Sequence, residues 1–293
     1  MPAGALPELD ELERVIALGA QHLRVQSLAS TGPRGTAGLP IHSITLGDAG
    51  AAAAVGFFGG VHGLERIGSQ VVIAYLHSLV MRLRWDDSLH RLLDSVRMVF
   101  MPIVNPEGML RHTRANANGV DLMRNAPVDA VDAVPFLVGG QRISAGLPWY
   151  RGRRGAPMET ESATLCELVE RELHSRPFSL ALDCHSGFGM RDRVWFPYAH
   201  RRNPIPHLAQ LHALHRIFEH SNSHHRYVFE PQSQQYLTHG DLWDHLYLRA
   251  TGRPGTVFLP LTLEMGSWLW VKKNPRQLFS RHGIFNPLIA HRQ

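Results

Sequence analysis

The sequence predicts an α/β protein whose sheet is buried on both faces, and three observations point there. Apolar runs of strand length recur along the chain, bounded by turn residues. Two of them, 53–58 and 96–104, flank a long amphipathic run of helical type, 67–83, which makes a βαβ unit. The polar residues His62, Glu65, Asn105, His185 and Glu264 all fall at or just beyond the C-terminal ends of four such runs, the edge at which open α/β sheets bind ligands.

Residues 9–21 read as a helix, with Leu12, Val15, Ile16 and Ala20 at helical spacing. Segments 23–28 and 41–46 are strand-like and separated by a Gly/Pro-rich stretch, a hairpin with a loose loop. The strand 53–58 leads into Gly59-Gly60-Val61-His62-Gly63-Leu64-Glu65, where glycines permit a sharp bend. The strand 96–104 ends in the turn signature Asn105-Pro106-Glu107-Gly108. Residues 109–154 are mostly irregular, and so long a loop in a compact domain is usually functional. A helix over 159–172 precedes the strand 178–184. Further strands are expected at 194–198, 227–230 and 256–263, helices at 207–220 and 241–250, and a helix with an extended end over 274–293.

At 293 residues the chain can bury a large core, in one big domain or two small ones. The 44% apolar content is that of a soluble globular protein, and no apolar run reaches the length of a membrane span. Glu8, Asp10, Glu11 and Glu13 argue against a secretory leader, so a cytoplasmic location is the expectation. Cys166 and Cys184 are too few and too far apart for a disulfide framework or a thiolate zinc finger. The net charge of +5 comes from scattered residues with small clusters at 151–154 and 201–202. No basic stripe interleaved with aromatics is present, so no nucleic-acid partner is expected, while a basic pocket for an acidic substrate fits.

An imidazole and a carboxylate three residues apart on a tight turn can converge on one metal ion, and zinc accepts both. His62 and Glu65 form such a pair, and His185 supplies a third donor at another strand end. Glu264 closes an otherwise apolar strand, where a carboxylate needs a partner or a task. It is either a general base or half of a buried ion pair. Arg114 and Arg124 frame a short segment. Their permanently charged forks suit an oxyanion or a carboxylate, or else they are surface residues of a long loop. Asp121 between them either holds a ligating imidazole in its tautomer or is an ordinary turn residue.

These pieces resemble the zinc carboxypeptidase family. The matching residues are His62-x-x-Glu65, Asn105-Pro106-Glu107-Gly108, Arg114, Gly119-Val120-Asp121-Leu122-Met123-Arg124-Asn125, Cys184-His185-Ser186 and Thr262-Leu263-Glu264. Tyr236 with Gly240-Asp241 and Asp244 is similar to the family's tyrosine segment, and Glu159-Thr160-Glu161-Ser162 to the acidic start of a helix. The resemblance implies one domain over 1–293 with a mixed, mostly parallel sheet of about eight strands and helices on both faces. It implies one Zn2+ held by His62, Glu65 and His185, and Glu264 as the base for a zinc-activated water. Arg114 would stabilise the oxyanion, Arg124, Tyr236 and Asn105 would meet the substrate, and Asp121 would support His62. The implied substrate is a peptide. One departure stands out: Met123 occupies a position where the family usually has Asn, and methionine donates no hydrogen bond. The aspartoacylase and succinylglutamate desuccinylase group shares His-x-x-Glu and a strand-end His, so an N-acyl amino acid is the alternative substrate. A non-catalytic peptide- or carboxylate-binding relative is a third reading.

Other residues remain open. His212, His215 and Glu219 lie at helical spacing, for a second metal or as the flank of a buried stripe. Trp243 lines a pocket or simply packs, and 149–152 border a cleft mouth or serve structure.

Overall fold

The computed structural model describes residues 6–32, 38–222, 224–268 and 272. The expected tail elements over 274–293 lie outside the described residues.

The strands are β1 (Arg24–Thr31), β2 (Leu39–Leu46), β3 (Ala53–Gly59), β4 (Val96–Met101), β5 (Phe178–Ser186), β6 (Arg193–Phe196), β7 (Val228–Pro231) and β8 (Val257–Met265). All join one 8-stranded sheet in the order β1-β2-β4-β3-β5-β8-β6-β7. The pairs β4/β3, β3/β5, β5/β8 and β6/β7 are parallel. The pairs β1/β2, β2/β4 and β6/β8 are antiparallel. The expected mixed, mostly parallel sheet is therefore present.

Residue alternation assigns the two faces. On β4, Met98 and Phe100 pack with Leu12 of α1 (Pro7–Leu18), Val72 and Leu76 of α2 (Arg66–Arg82) and Leu89 of α3 (Asp87–Leu93). Val99 and Met101 face the other way. They join Phe58, Leu165 and Leu168 of α5 (Thr160–Glu172), and Leu246 of α7 (Leu242–Thr251). A third cluster gathers Val194, Phe196 and Leu261 under Leu211 of α6 (Leu208–Ser221).

Three local differences from the sequence expectation have physical causes. β4 stops at Met101, before Pro102, and Asn105-Pro106-Glu107-Gly108 opens a short helix, α4 (Pro106–Leu110). Asn105 caps it, its Oδ1 accepting from Gly108 N–H at 2.9 Å, with Pro106 in the first turn where a missing N–H costs nothing. The helix α3 was not expected. Asp86 starts it by accepting from Ser88 N–H at 3.0 Å and Leu89 N–H at 3.2 Å. Finally, β5 and β8 each run two residues further than the apolar pattern. His185 and Glu264 are therefore strand residues, and direct Cα partners in the parallel register.

Candidate metal centre

The centre is built at the C-terminal edge of β3, β5 and β8. Beyond β3 the chain turns through His62 to Glu65, closed by Glu65 N–H donating to His62 O at 3.0 Å. Two glycines allow the turn to sit there. A Cβ on Gly63 would lie 2.0 Å from the Gly108 carbonyl carbon, and one on Gly68 would lie 2.0 Å from Cys184 O. The first lets the turn meet α4; the second lets α2 press against β5 beside His185.

His62, Glu65 and His185 are all buried, and a ligating atom from each lies within 4.8 Å of the others. Glu65 Oε2 accepts from Ser186 N–H at 3.1 Å and lies 3.0 Å from His185 Nδ1. On its other side His185 Nε2 donates to Asp183 Oδ2 at 2.7 Å. Trp243 Nε1–H donates to the same oxygen at 2.8 Å. Both ring nitrogens of His185 thus face carboxylates, Nε2 to Asp183 and Nδ1 to Glu65, which fixes the orientation of the ring.

Arg114 arches over the trio. Its Nε donates to Asp121 Oδ2 at 2.8 Å, Nη1 to Glu65 Oε1 at 3.3 Å, and Nη2 lies 2.7 Å from His62 Nε2. Arginine only donates, so His62 Nε2 carries a lone pair there. His62 Nδ1 is buried without a hydrogen bond, 3.7 Å from Asp121 Oδ1. Two imidazoles and a carboxylate, all buried, with the His185 ring held from behind by Asp183, are a donor set that fits zinc.

The electrostatics follow from this packing. Burial holds the His62 imidazole well below its ordinary pKa, and the Arg114 guanidinium adds to that. Burial also opposes protonation of His185, but Asp183 and Glu65 outweigh it and raise the ring well above its usual value. Arg114 is likewise raised against burial, by Asp121 and Glu65. Glu264, partly exposed on β8, is pushed up to about 8 by burial and then by Glu65, against the pull of His185 and Arg114.

Tyr236 is half-buried beside this group, near enough that its phenol contributes to the field at Arg114. Its ring stands 6.3 Å from Phe188 and 6.4 Å from Trp195, and Phe188 also packs on Trp268 at 5.6 Å. Nothing in the spacing pointed to this aromatic wall, because its members come from four separate segments. The structure does not bring Arg124 into the cluster. It is buried, with Nη1 donating to Met123 O at 3.3 Å and Nε to Val138 O at 3.5 Å. Asn105 is fully buried as well, its Nδ2 donating to Val61 O at 3.3 Å while its Oδ1 caps α4. Each side of that amide thus has a partner within the protein. His215 stacks on Phe229 at 4.6 Å and pairs weakly with Glu219 at 3.6 Å. Among the described residues the trio is the one group placed to hold a metal.

The sequence model of the zinc carboxypeptidase family (Peptidase_M14) matches residues 21–257, most of the chain. The chain belongs to the zinc carboxypeptidase family. Solved carboxypeptidases share the fold at low identity. Carboxypeptidase A of Helicoverpa armigera superposes with a TM-score of 0.68 at 19% identity, covering 90% of this chain and 65% of that one. Bovine thrombin-activatable fibrinolysis inhibitor, in complex with tick carboxypeptidase inhibitor, gives 0.65 at 18%, covering 87% and 83%. A metallo-carboxypeptidase of Burkholderia cenocepacia gives 0.59 at 16%, covering 88% and 58%. Among curated proteins, carboxypeptidase SOL1 of Arabidopsis thaliana is 30% identical over 94 residues, which is 31% of this chain and 19% of that protein. The chain therefore spans about a fifth of that curated relative. As a zinc carboxypeptidase family member it carries the metallohydrolase scaffold, and its His62, Glu65 and His185 form a cluster that could hold a metal ion.

Proposed function

We propose that this chain is a zinc-dependent hydrolase of amide bonds, a carboxypeptidase-like metallopeptidase acting on peptides. One observation carries the reading. His62, Glu65 and His185 converge within 4.8 Å, and the sheet register sets Glu264 beside His185.

When bound, zinc would polarise the scissile carbonyl and lower the pKa of the attacking water. The chain's own groups do the rest. Glu264 takes a proton from that water and passes it to the leaving amine. Arg114, gripped by Asp121 and Glu65, offers fixed N–H donors to the oxygen on which negative charge develops. Asp121 and Asp183 hold the arginine and the His185 ring, and Tyr236 flanks the place where substrate would lie.

A second reading keeps the same chemistry with a smaller substrate, an N-acyl amino acid. Met123 sits in the apolar core and Arg124 Nε and Nη1 are turned to backbone carbonyls, so a carboxylate beside the scissile amide is poorly provided for in a free-acid peptide and an N-acyl amino acid alike. Hydrolysis of a panel of free-acid peptides, their C-terminal amides and N-acyl amino acids separates the two. Glu264→Gln should lower turnover by about 10²–10⁴-fold with zinc stoichiometry unchanged. Ordinary turnover by that variant removes Glu264 from the reaction, and a zinc-loaded protein that hydrolyses none of the panel is a binding relative.

A further inference from the structure

The long loop that follows Arg124 borders an open surface cavity of about 460 Å3, lined by Pro127, Asp129, Arg142, Arg151, Arg154 and His239. Three arginines face one carboxylate. Asp129 Oδ1 is engaged by Arg151 Nη2 at 2.7 Å. Arg151 is buried and donates through Nε to Arg124 O and through Nη2 to Val128 O, each at 3.2 Å. Arg142 is anchored through Nη1 to the carbonyls of Arg151, Gly152 and Arg153 at 3.3, 2.7 and 3.2 Å. Neither it nor the exposed Arg154 makes an ion pair within 4 Å among the described residues, although Arg142 feels Asp129 at longer range. His239 adds a neutral donor. Ala130 N–H donates to its Nδ1 at 2.9 Å, so the ring proton is on Nε2. Burial, with Arg151 next, keeps that imidazole below its ordinary pKa and so in this form.

The wall is a built structure. Gln141 Nε2 donates to the carbonyls of Ser144, Leu147 and Pro148 at 2.9, 3.1 and 3.1 Å, closing the loop on itself. Gly140 is wedged between two of the cations. At its φ of +100°, a Cβ would lie 2.9 Å from Arg151 Cδ and 3.4 Å from Arg124 Cδ. The cavity is thus one backbone thickness from the Arg124 segment.

We propose that this cavity is an oxyanion site, taking a carboxylate or phosphate group on Arg142, Arg154 and His239 Nε2. Planar guanidinium forks with unused donors match such oxygens, and the positive excess draws them in. The ligand is either an acidic side chain of a bound peptide or a free small anion. Closeness to Arg124 favours the side chain, and that source rests on the hydrolase reading above.

The test has two arms, run on the zinc-loaded protein except for His62→Ala, which lacks one of the proposed ligands. In the first, inorganic phosphate is titrated calorimetrically against the parent, Arg154→Gln, Arg142→Gln and His62→Ala. Binding should weaken by about fivefold or more in each arginine variant and persist in His62→Ala. Arg142 also braces the loop, so Arg154→Gln, at an exposed residue, keeps the result interpretable if Arg142→Gln folds poorly. In the second, kcat/KM is compared for peptides that differ only by Glu or Gln. A preference for Glu that narrows in Arg154→Gln assigns the site to the substrate's acidic side chain. Arginine-dependent phosphate binding with no Glu preference assigns it to a free anion. Phosphate binding lost in His62→Ala but kept in the arginine variants overturns the proposal, because the anion then sits at the metal. No phosphate binding and no Glu preference also overturn it. If no peptide is hydrolysed, the hydrolase reading fails while the phosphate titration still decides the cavity.

Discussion

Asp183 serves two rings with one oxygen. Its Oδ2 takes the Nε2–H of His185 at 2.7 Å and the Nε1–H of Trp243 at 2.8 Å, in full burial. Asp183→Asn removes the negative charge behind His185 and should weaken zinc binding by about 10–100-fold, read by competition with a chromophoric chelator. Equal affinity in the variant would mean that the ring is held by packing alone. A second buried imidazole, His174, has no hydrogen bond at either nitrogen and packs edge-on to Phe258 at 4.6 Å. Burial, then Arg253 and Arg249, push it down to about 4 from the usual 6.5. The sign follows: as pH falls below 6.5 the unfolded chain takes up a proton that the folded ring refuses. Stability is therefore lost between about pH 6.5 and 4, by up to roughly 1.4 kcal/mol per pH unit. His174→Phe should lose less stability than the parent between pH 7.5 and 5 in urea melts, and a parallel loss would rule the residue out. At this scale the candidate site residues were legible, since His62, Glu65, His185 and Glu264 each break an apolar or glycine-rich run. Trp243 was not, because its role depends on which strand end α7 lies against.

The two glycines under the centre are the element-scale counterpart. The His62–Glu65 turn and α4 touch backbone to backbone, and at Gly63 there is no room for a methyl group. Gly63→Ala must push α4 away or distort the turn that carries two of the three donors. We expect a stability loss of about 1–3 kcal/mol and a larger fall in zinc affinity than in stability, measured by urea unfolding and metal titration on the same sample. Undiminished zinc affinity would show that the turn repacks without moving its donors. Strand existence and order along the chain were readable from apolar runs and turn residues. Strand ends were not. His185 and Glu264 are polar, so the hydrophobic pattern ends before them, while the ladder runs on and fixes them as partners. The helix α3 escaped for a similar reason: its start depends on the Asp86 cap rather than on a long apolar stripe.

Across the whole molecule, the centre joins segments far apart in the chain: the turn after β3, the end of β5, and the loop through Arg114 and Asp121. Each buries charge that another must answer. Glu65 is shared by His185, Ser186 N–H and Arg114, and His62 lies between Arg114 and Asp121. A cation gripped by His62, Glu65 and His185 would therefore cross-link the β3 and β5 edges of the sheet in the folded state only. Binding of that kind adds RT ln(1 + [L]/Kd), about 2.7 kcal/mol at a free zinc level 100-fold above Kd. The chain has 19 histidines, so weak zinc binding elsewhere, including to the unfolded chain, must be kept out by adding a single equivalent. We expect chelation to lower the thermal midpoint by several degrees, one equivalent of zinc to restore it, and His62→Ala to show neither change. Equal midpoints with and without zinc, or the same shift in His62→Ala, would place the metal elsewhere and leave the trio a buried ion network.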